Sequence, residues 1–179
     1  SDGAFAIPTL SHLPAPTNEL HANNYHLIPA DLRNVNEVEK RLNECQLDYD
    51  APTLVIAECV LVYMTVENST SLLRYFASKF SQCALVNYEQ THLNDRFSEI
   101  MLENMELRSC RLLGVDACRS NETQLKRLVD AGFVSSLCQI ITMTEYYKNK
   151  LDAKERQRIE SIEFLDESEL LIQLLDHYC

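Results

Sequence analysis

The sequence predicts a layered α/β domain built on a parallel sheet, and three observations carry that reading. Strand-length apolar segments alternate with segments of helical periodicity along the chain. The 179 residues are 46% apolar, a globular proportion in a chain long enough to bury a sizeable core. Thr53–Met64 (TLVIAECVLVYM) is an apolar run broken by one carboxylate, Glu58. Such a run suits a strand covered on both faces that passes into a helix. A carboxylate on it costs several kcal/mol unless paired or hydrogen-bonded. Glu58 is therefore expected where the strand ends and a ligand begins, since open α/β sheets bind small molecules at their strands' carboxyl ends.

The elements follow in order. Residues 1–24, containing Pro, His and Asn, read as loop. Tyr25–Ile28 is a short strand ended by Pro29, which cannot continue an ordinary sheet. Apolar residues at 35, 38, 42 and 45 predict a helix. Pro52 precedes the Thr53 strand, and Thr65 caps a helix with Leu72, Leu73, Phe76 and Phe80 inward. Cys83–Tyr88 is the next strand, ending in Glu89-Gln90. Asn94–Leu107 reads as an amphipathic helix with Phe97, Ile100, Met101 and Met105 on one side. Asn121 and Gln124 read as a capping box before Leu125–Ala131, closed by Gly132. Phe133–Met143 is strand-like. Helices are expected over 144–150, 153–162 and 167–175, the last capped by Asp166. A further strand begins near the final Asp176-His177-Tyr178-Cys179.

Net charge is −11, from 27 acidic and 16 basic residues. That field repels phosphate backbones and argues against nucleic acid as the principal partner. Seven cysteines with no C-x-x-C pair predict a reduced intracellular protein with neither zinc site nor disulfide framework. Cys59, Cys83 and Cys138 read as small core residues. No segment approaches the ~20 apolar residues of a membrane span, and no signal peptide is visible. With three glycines, the chain holds no phosphate-cradling glycine loop. His26 and His177 lack ligands at metal-site spacing and read as structural. Glu89 and Gln90 suit a cleft wall and a helix cap equally.

Five blocks follow one another in order: Tyr25–Arg33 (YHLIPADLR), Ile56–Met64 (IAECVLVYM), Val86–Gln90 (VNYEQ), Asn94–Phe97 (NDRF) and Ile159–Glu167 (IESIEFLDE). Together they closely resemble the leucine carboxyl methyltransferases, which methylate the C-terminal leucine of the type 2A protein phosphatase catalytic subunit. The resemblance covers nearly everything from Tyr25 onward. It implies an S-adenosylmethionine-dependent methyltransferase with a Rossmann-like sheet and helical additions. It also implies a cytoplasmic monomer whose partner is the phosphatase catalytic subunit's C-terminal tail, with no metal. Asp31 and Leu32 match the family's acidic-leucine pair at the adenine, and Glu58 matches its cofactor-contacting glutamate beside the methionine portion. Tyr63, one turn further, is the candidate contact for the substrate carboxylate.

The chemistry suits those residue types. Adenine needs an acceptor for its amino group and an apolar wall, which a carboxylate beside a leucine provides. A poorly hydrated carboxylate such as Glu58 pairs strongly with the cofactor's ammonium. An α-carboxylate, with a reference pKa of ~3.5, is already ionised near neutral pH. No general base is required, so no catalytic residue is assigned; alignment and desolvation carry the rate.

Two departures accompany the resemblance. Pro29 stands where relatives are expected to carry glycine. The family's glycine-rich first loop, ribose-binding acid and upstream Lys and Arg have no counterparts. Residues 1–24 are thus expected to be a loop or insertion remnant, and 25–179 the C-terminal part of one methyltransferase domain, inactive alone. A truncated, non-catalytic phosphatase-binding relative is the alternative function. A relative of the tRNA wybutosine-synthesising methyltransferase is a more distant third.

Overall fold

A computed structural model describes residues 18–163 and 166–179 of the chain. Most of the expected N-terminal loop, residues 1–17, and residues 164 and 165 of the Ile159–Glu167 block lie outside the described residues. The architecture is mixed α/β. It opens with a hairpin of two short strands, β1 (Leu20–His21) and β2 (His26–Leu27), paired antiparallel with His21 opposite His26. The expected strand at Tyr25–Ile28 thus exists, but its partner lies inside the segment read as loop, not in the parallel sheet.

Helix α1 (Val35–Glu44) follows, with the Asn34 side chain accepting from the Glu37 N–H. The strand expected at Thr53 is β3 (Thr53–Glu58), which pairs in parallel with β4 (Cys83–Tyr88), Thr53 facing Cys83 and Glu58 facing Tyr88. Parallel neighbours need a crossover. The intervening helix α2 (Val66–Lys79) supplies it, capped by Thr65 as its sequence suggests. Helix α3 (Arg96–Leu107) starts at Asp95, whose carboxylate accepts from the Ser98 N–H. Met101, Leu102 and Met105 turn inward; Ile100, expected beside them, is exposed.

Helix α4 (Asn121–Ala131) begins four residues before the expected Leu125, with its cap one residue before the expected Asn121. Ser120 and Thr123 form the capping box, and the Gln124 side chain is drawn into the interior instead. Gly132 closes α4 at φ +106, a left-handed conformation that favours glycine. Residues 133–143 do not form the expected strand. Ser135–Leu137 makes a 3-10 turn, and Val134 and Leu137 are exposed, with no ladder to hold the segment extended. Helix α5 (Met143–Glu145) runs into a π turn at Tyr146–Lys150, followed by α6 (Ala153–Glu160) and α7 (Ser168–Asp176). The residue at the N-cap of α7 is Glu167, not Asp166, and it makes no side-chain cap bond. The final residues pair as expected of a beginning strand: Glu89 and Cys179 exchange both backbone hydrogen bonds, at 3.1 and 2.9 Å.

Two apolar cores form among the described residues. One gathers Val38, Leu61, Met64, Leu72, Leu73, Tyr75 and Ala131 between α1, α2 and α4. The other gathers Val62, Leu93, Leu112 and Cys118 under α3. Among the described residues, the β3–β4 pair is covered on one face only. Leu54, Ile56 (69% exposed) and Val86 stand on the other face, contrary to the expectation of a strand buried on both sides. All seven cysteines are free thiols, and only Cys118 is fully buried; Cys59, Cys83 and Cys138 are half-buried. No helix among the described residues is long and apolar enough to cross a membrane.

Candidate cofactor and substrate site

The chain turns sharply where β3 ends. Glu58 is the last ladder residue, and Cys59 follows at φ +50 with its N–H donating to the Tyr88 carbonyl at 2.7 Å. A 3-10 turn at Leu61–Tyr63 comes next. Its consecutive residues diverge: Leu61 enters one core, Val62 the other, and Tyr63 remains 45% exposed. Gly114 locks this turn from behind. Its N–H donates to the Val62 carbonyl at 2.8 Å, and a Cβ there would lie 2.8 Å from the Met64 oxygen and 3.0 Å from the Val62 Cα. Two packed side chains and one close backbone contact thus fix the direction in which Tyr63 emerges.

Asp31, Leu32, Arg33, Cys59, Val60, Tyr63 and Met64 line one open cavity of about 400 Å³. The Asp31-Leu32 pair and Tyr63, separated in sequence, therefore share a site beside the carboxyl end of β3. Glu58 does not line that cavity. It stands exposed at the strand end beside it, and no hydrogen bond or ion pair engages its carboxylate among the described residues.

Asp31 is engaged by Arg33. The guanidinium Nε and Nη2 donate at 2.8 and 2.7 Å, and the Arg33 backbone N–H donates at 3.0 Å. These hydrogen bonds hold the Asp31 carboxyl well below the ordinary range, at about 2. Tyr63 moves the other way. Desolvation first, then its neighbours Cys110, Cys59 and Tyr178, push its phenol up, so it stays a neutral hydrogen-bond donor near pH 7. Tyr88, opposite Glu58, stacks on Tyr178 with centroids 5.2 Å apart, extending an aromatic rim from the end of β4.

Behind the rim lies a buried polar cluster that sequence reasoning missed. Glu89, fully buried, accepts from the Val62 N–H at 2.7 Å and pairs with Arg127 on α4. Gln124 donates to the Gln90 carbonyl at 2.9 Å, and the Cys118 thiol lies against the Glu89 carboxylate. Burial and that carboxylate push the Cys118 thiol strongly up, so it stays protonated. Glu89 thus neither lines the cavity nor caps a helix; it holds the Leu61–Tyr63 turn through Val62. A signal existed: residues 124, 127, 128 and 131 share one helical face, which places Arg127 among inward positions. His177 is buried as a structural residue, with Nδ1 2.7 Å from the Gln173 carbonyl and Nε2 3.1 Å from the Asp95 carboxylate.

Residues 6–77 match the leucine carboxyl methyltransferase family. Over 161 residues, 90% of this chain, it is 49% identical to leucine carboxyl methyltransferase 1 of Caenorhabditis elegans, covering 48% of that protein. It is 47% identical to the Bos taurus protein of the same name over 160 residues, 89% of this chain and 47% of that one. A lower similarity, 34% over 156 residues, links 87% of the chain to 22% of the Homo sapiens tRNA wybutosine-synthesizing protein 4. The chain thus combines a mixed α/β fold, with a cavity at a strand's carboxyl end, and similarity to methyltransferases. The chain is similar to the leucine carboxyl methyltransferase family. It spans about half the length of the curated relatives it matches.

Proposed function

We propose that the chain contributes one wall of the active site of an S-adenosylmethionine-dependent enzyme. That enzyme would esterify the C-terminal leucine α-carboxylate of the protein phosphatase 2A catalytic subunit. The observation that carries the reading is the convergence of Asp31, Leu32 and Tyr63 on one cavity beside an unpaired Glu58. The chain's similarity to carboxyl methyltransferases gives that convergence its chemistry. In this reading the parallel β3–β4 pair belongs to a Rossmann-like sheet, and sequence outside this chain supplies the opposite wall of the cleft.

The residues present fit the cofactor. Glu58 is an exposed carboxylate with no competing cation among the described residues, suited to an ammonium group. Leu32, Val60 and Met64 give the cavity apolar wall, and Asp31 is an ionised acceptor throughout the neutral range. Arg33 saturates the Asp31 oxygens, so an adenine amino group gains its acceptor only when the exposed Arg33 side chain swings aside. When bound, the cofactor supplies an activated sulfonium methyl.

This chain's residues do the positioning. Tyr63, held neutral, donates a hydrogen bond to one carboxylate oxygen of the peptide tail and leaves the other oxygen free to attack. The tail's carboxylate is already ionised, so no residue here removes a proton. The test is transfer of labelled methyl to the phosphatase catalytic subunit by the whole enzyme containing this segment. Base-labile label confined to the C-terminal leucine, and lost when the tail is amidated, supports the reading. Base-stable label, or label on transfer RNA instead, overturns it.

A further inference from the structure

We propose that His21, His26 and Cys45 form a binding site for a zinc-class divalent cation, held by two imidazoles and one thiolate. The site lies outside the cavity described above and does not depend on the function assigned to it. The β1–β2 hairpin sets His21 directly opposite His26, with their Nδ1 atoms 2.8 Å apart. Cys45, immediately after α1, brings its thiol to the same place: the three ligand atoms lie within 4.8 Å of one another. Spacing along the chain hides this set, because the hairpin and the end of α1 come together only in the fold.

A second observation points to a cation. The outer nitrogen of His21, Nε2, lies 3.3 Å from a Glu19 carboxylate oxygen. Arg41 holds the other Glu19 oxygen at 2.9 Å. Metal-ligating histidines characteristically donate their second ring N–H to such a carboxylate, which fixes the tautomer and raises ligand basicity. With its proton on Nε2, His21 turns an Nδ1 lone pair toward His26 and Cys45.

Two imidazoles and a thiolate select zinc, cobalt or copper over calcium or magnesium, which take oxygen ligands. Tetrahedral zinc spaces such ligand atoms about 3.3–3.8 Å apart. The imidazole nitrogens must therefore part slightly and the Cys45 thiol swing inward, a side-chain rotation at the end of a helix. Binding forms two metal–nitrogen bonds and one metal–sulfur bond. It displaces one proton from the Cys45 sulfur, while the His26 proton moves to its exposed Nε2. The exposed imidazoles leave a fourth position to water. Asp31 and Leu32 lie between His26 and Cys45 in sequence, so the cation would staple both ends of the segment that carries them.

Cobalt titration of the purified chain, read by absorption and followed by zinc displacement, tests the site. One equivalent with a thiolate charge-transfer band is expected. Cys45→Ser and His21→Ala should each weaken uptake about 100-fold, and Glu19→Gln about 10-fold. Cys110→Ser should leave uptake unchanged. Imidazole NMR of the unmodified chain guards against misfolded variants: zinc should shift the His21 and His26 ring signals and spare His92 and His177. Absence of saturable uptake overturns the proposal. So does uptake unaffected by Cys45→Ser, or ring shifts confined to other histidines.

Discussion

Asp31 sets its carboxylate against a single cation, Arg33, two residues away. Its folded pKa is depressed, so whatever stability the pair adds is present above the ordinary 3.8 and lost as pH falls toward about 2. The group is fully exposed, so the effect on stability is small. The local titration is nonetheless measurable. The Asp31 carboxyl-carbon NMR signal should titrate near 2, and near the ordinary 3.8 in Arg33→Ala; an unchanged midpoint would show that Arg33 is not the cause. At this scale the sequence was informative where chemistry was local. Asp31, Leu32 and Tyr63 share a cavity, while Glu58 stands beside it. The Arg33 clamp escaped notice because a neighbouring Arg is as often solvated as folded back.

The Leu61–Tyr63 turn is the element on which the site depends. Its two inward residues serve different cores, so it cannot slip without disturbing both. Gly114→Ala puts a methyl group against the backbone of this turn, with no flexible side chain to give way. A loss of about 1–3 kcal/mol in urea unfolding is expected, with shifted Tyr63 ring signals. Unchanged stability would mean that the turn moves freely. Helices and strands with local causes were legible: Thr65 caps α2 and Cys83–Tyr88 is a strand as its pattern indicates. Residues 133–143 were not. Their apolar pattern describes what a strand would bury, but a strand also needs a partner ladder, and periodicity says nothing of that.

Across the whole molecule, one buried charge pair ties the sheet to α4 and to the site. Glu89 extends from the end of β4 and Arg127 from the middle of α4, and both side chains are essentially without solvent contact. Arg127→Met would leave Glu89 buried and unpaired, so a loss of about 3–5 kcal/mol in denaturant unfolding is expected. Adding Glu89→Gln should restore a large part of it, because the uncompensated charge goes too. A single variant as stable as the parent would contradict the pair's role. The exposed Leu54, Ile56 and Val86 belong to the same scale. The apolar run suggested a strand covered on both faces, but among the described residues β3 is covered on one. The chain's relatives are about twice as long.

Glu58 ties these scales together, as the residue that breaks the apolar run, ends the ladder and stands unpaired beside the cavity. The most direct measurement is methyl-transfer kinetics of the whole enzyme carrying Glu58→Gln, with S-adenosylmethionine varied at saturating protein substrate. Removing a charge-assisted contact worth about 1.5–3 kcal/mol should raise the cofactor KM by roughly 10- to 150-fold. The KM for the protein substrate should change little. A cofactor KM equal to the parent's would contradict the assignment of this strand end to the cofactor.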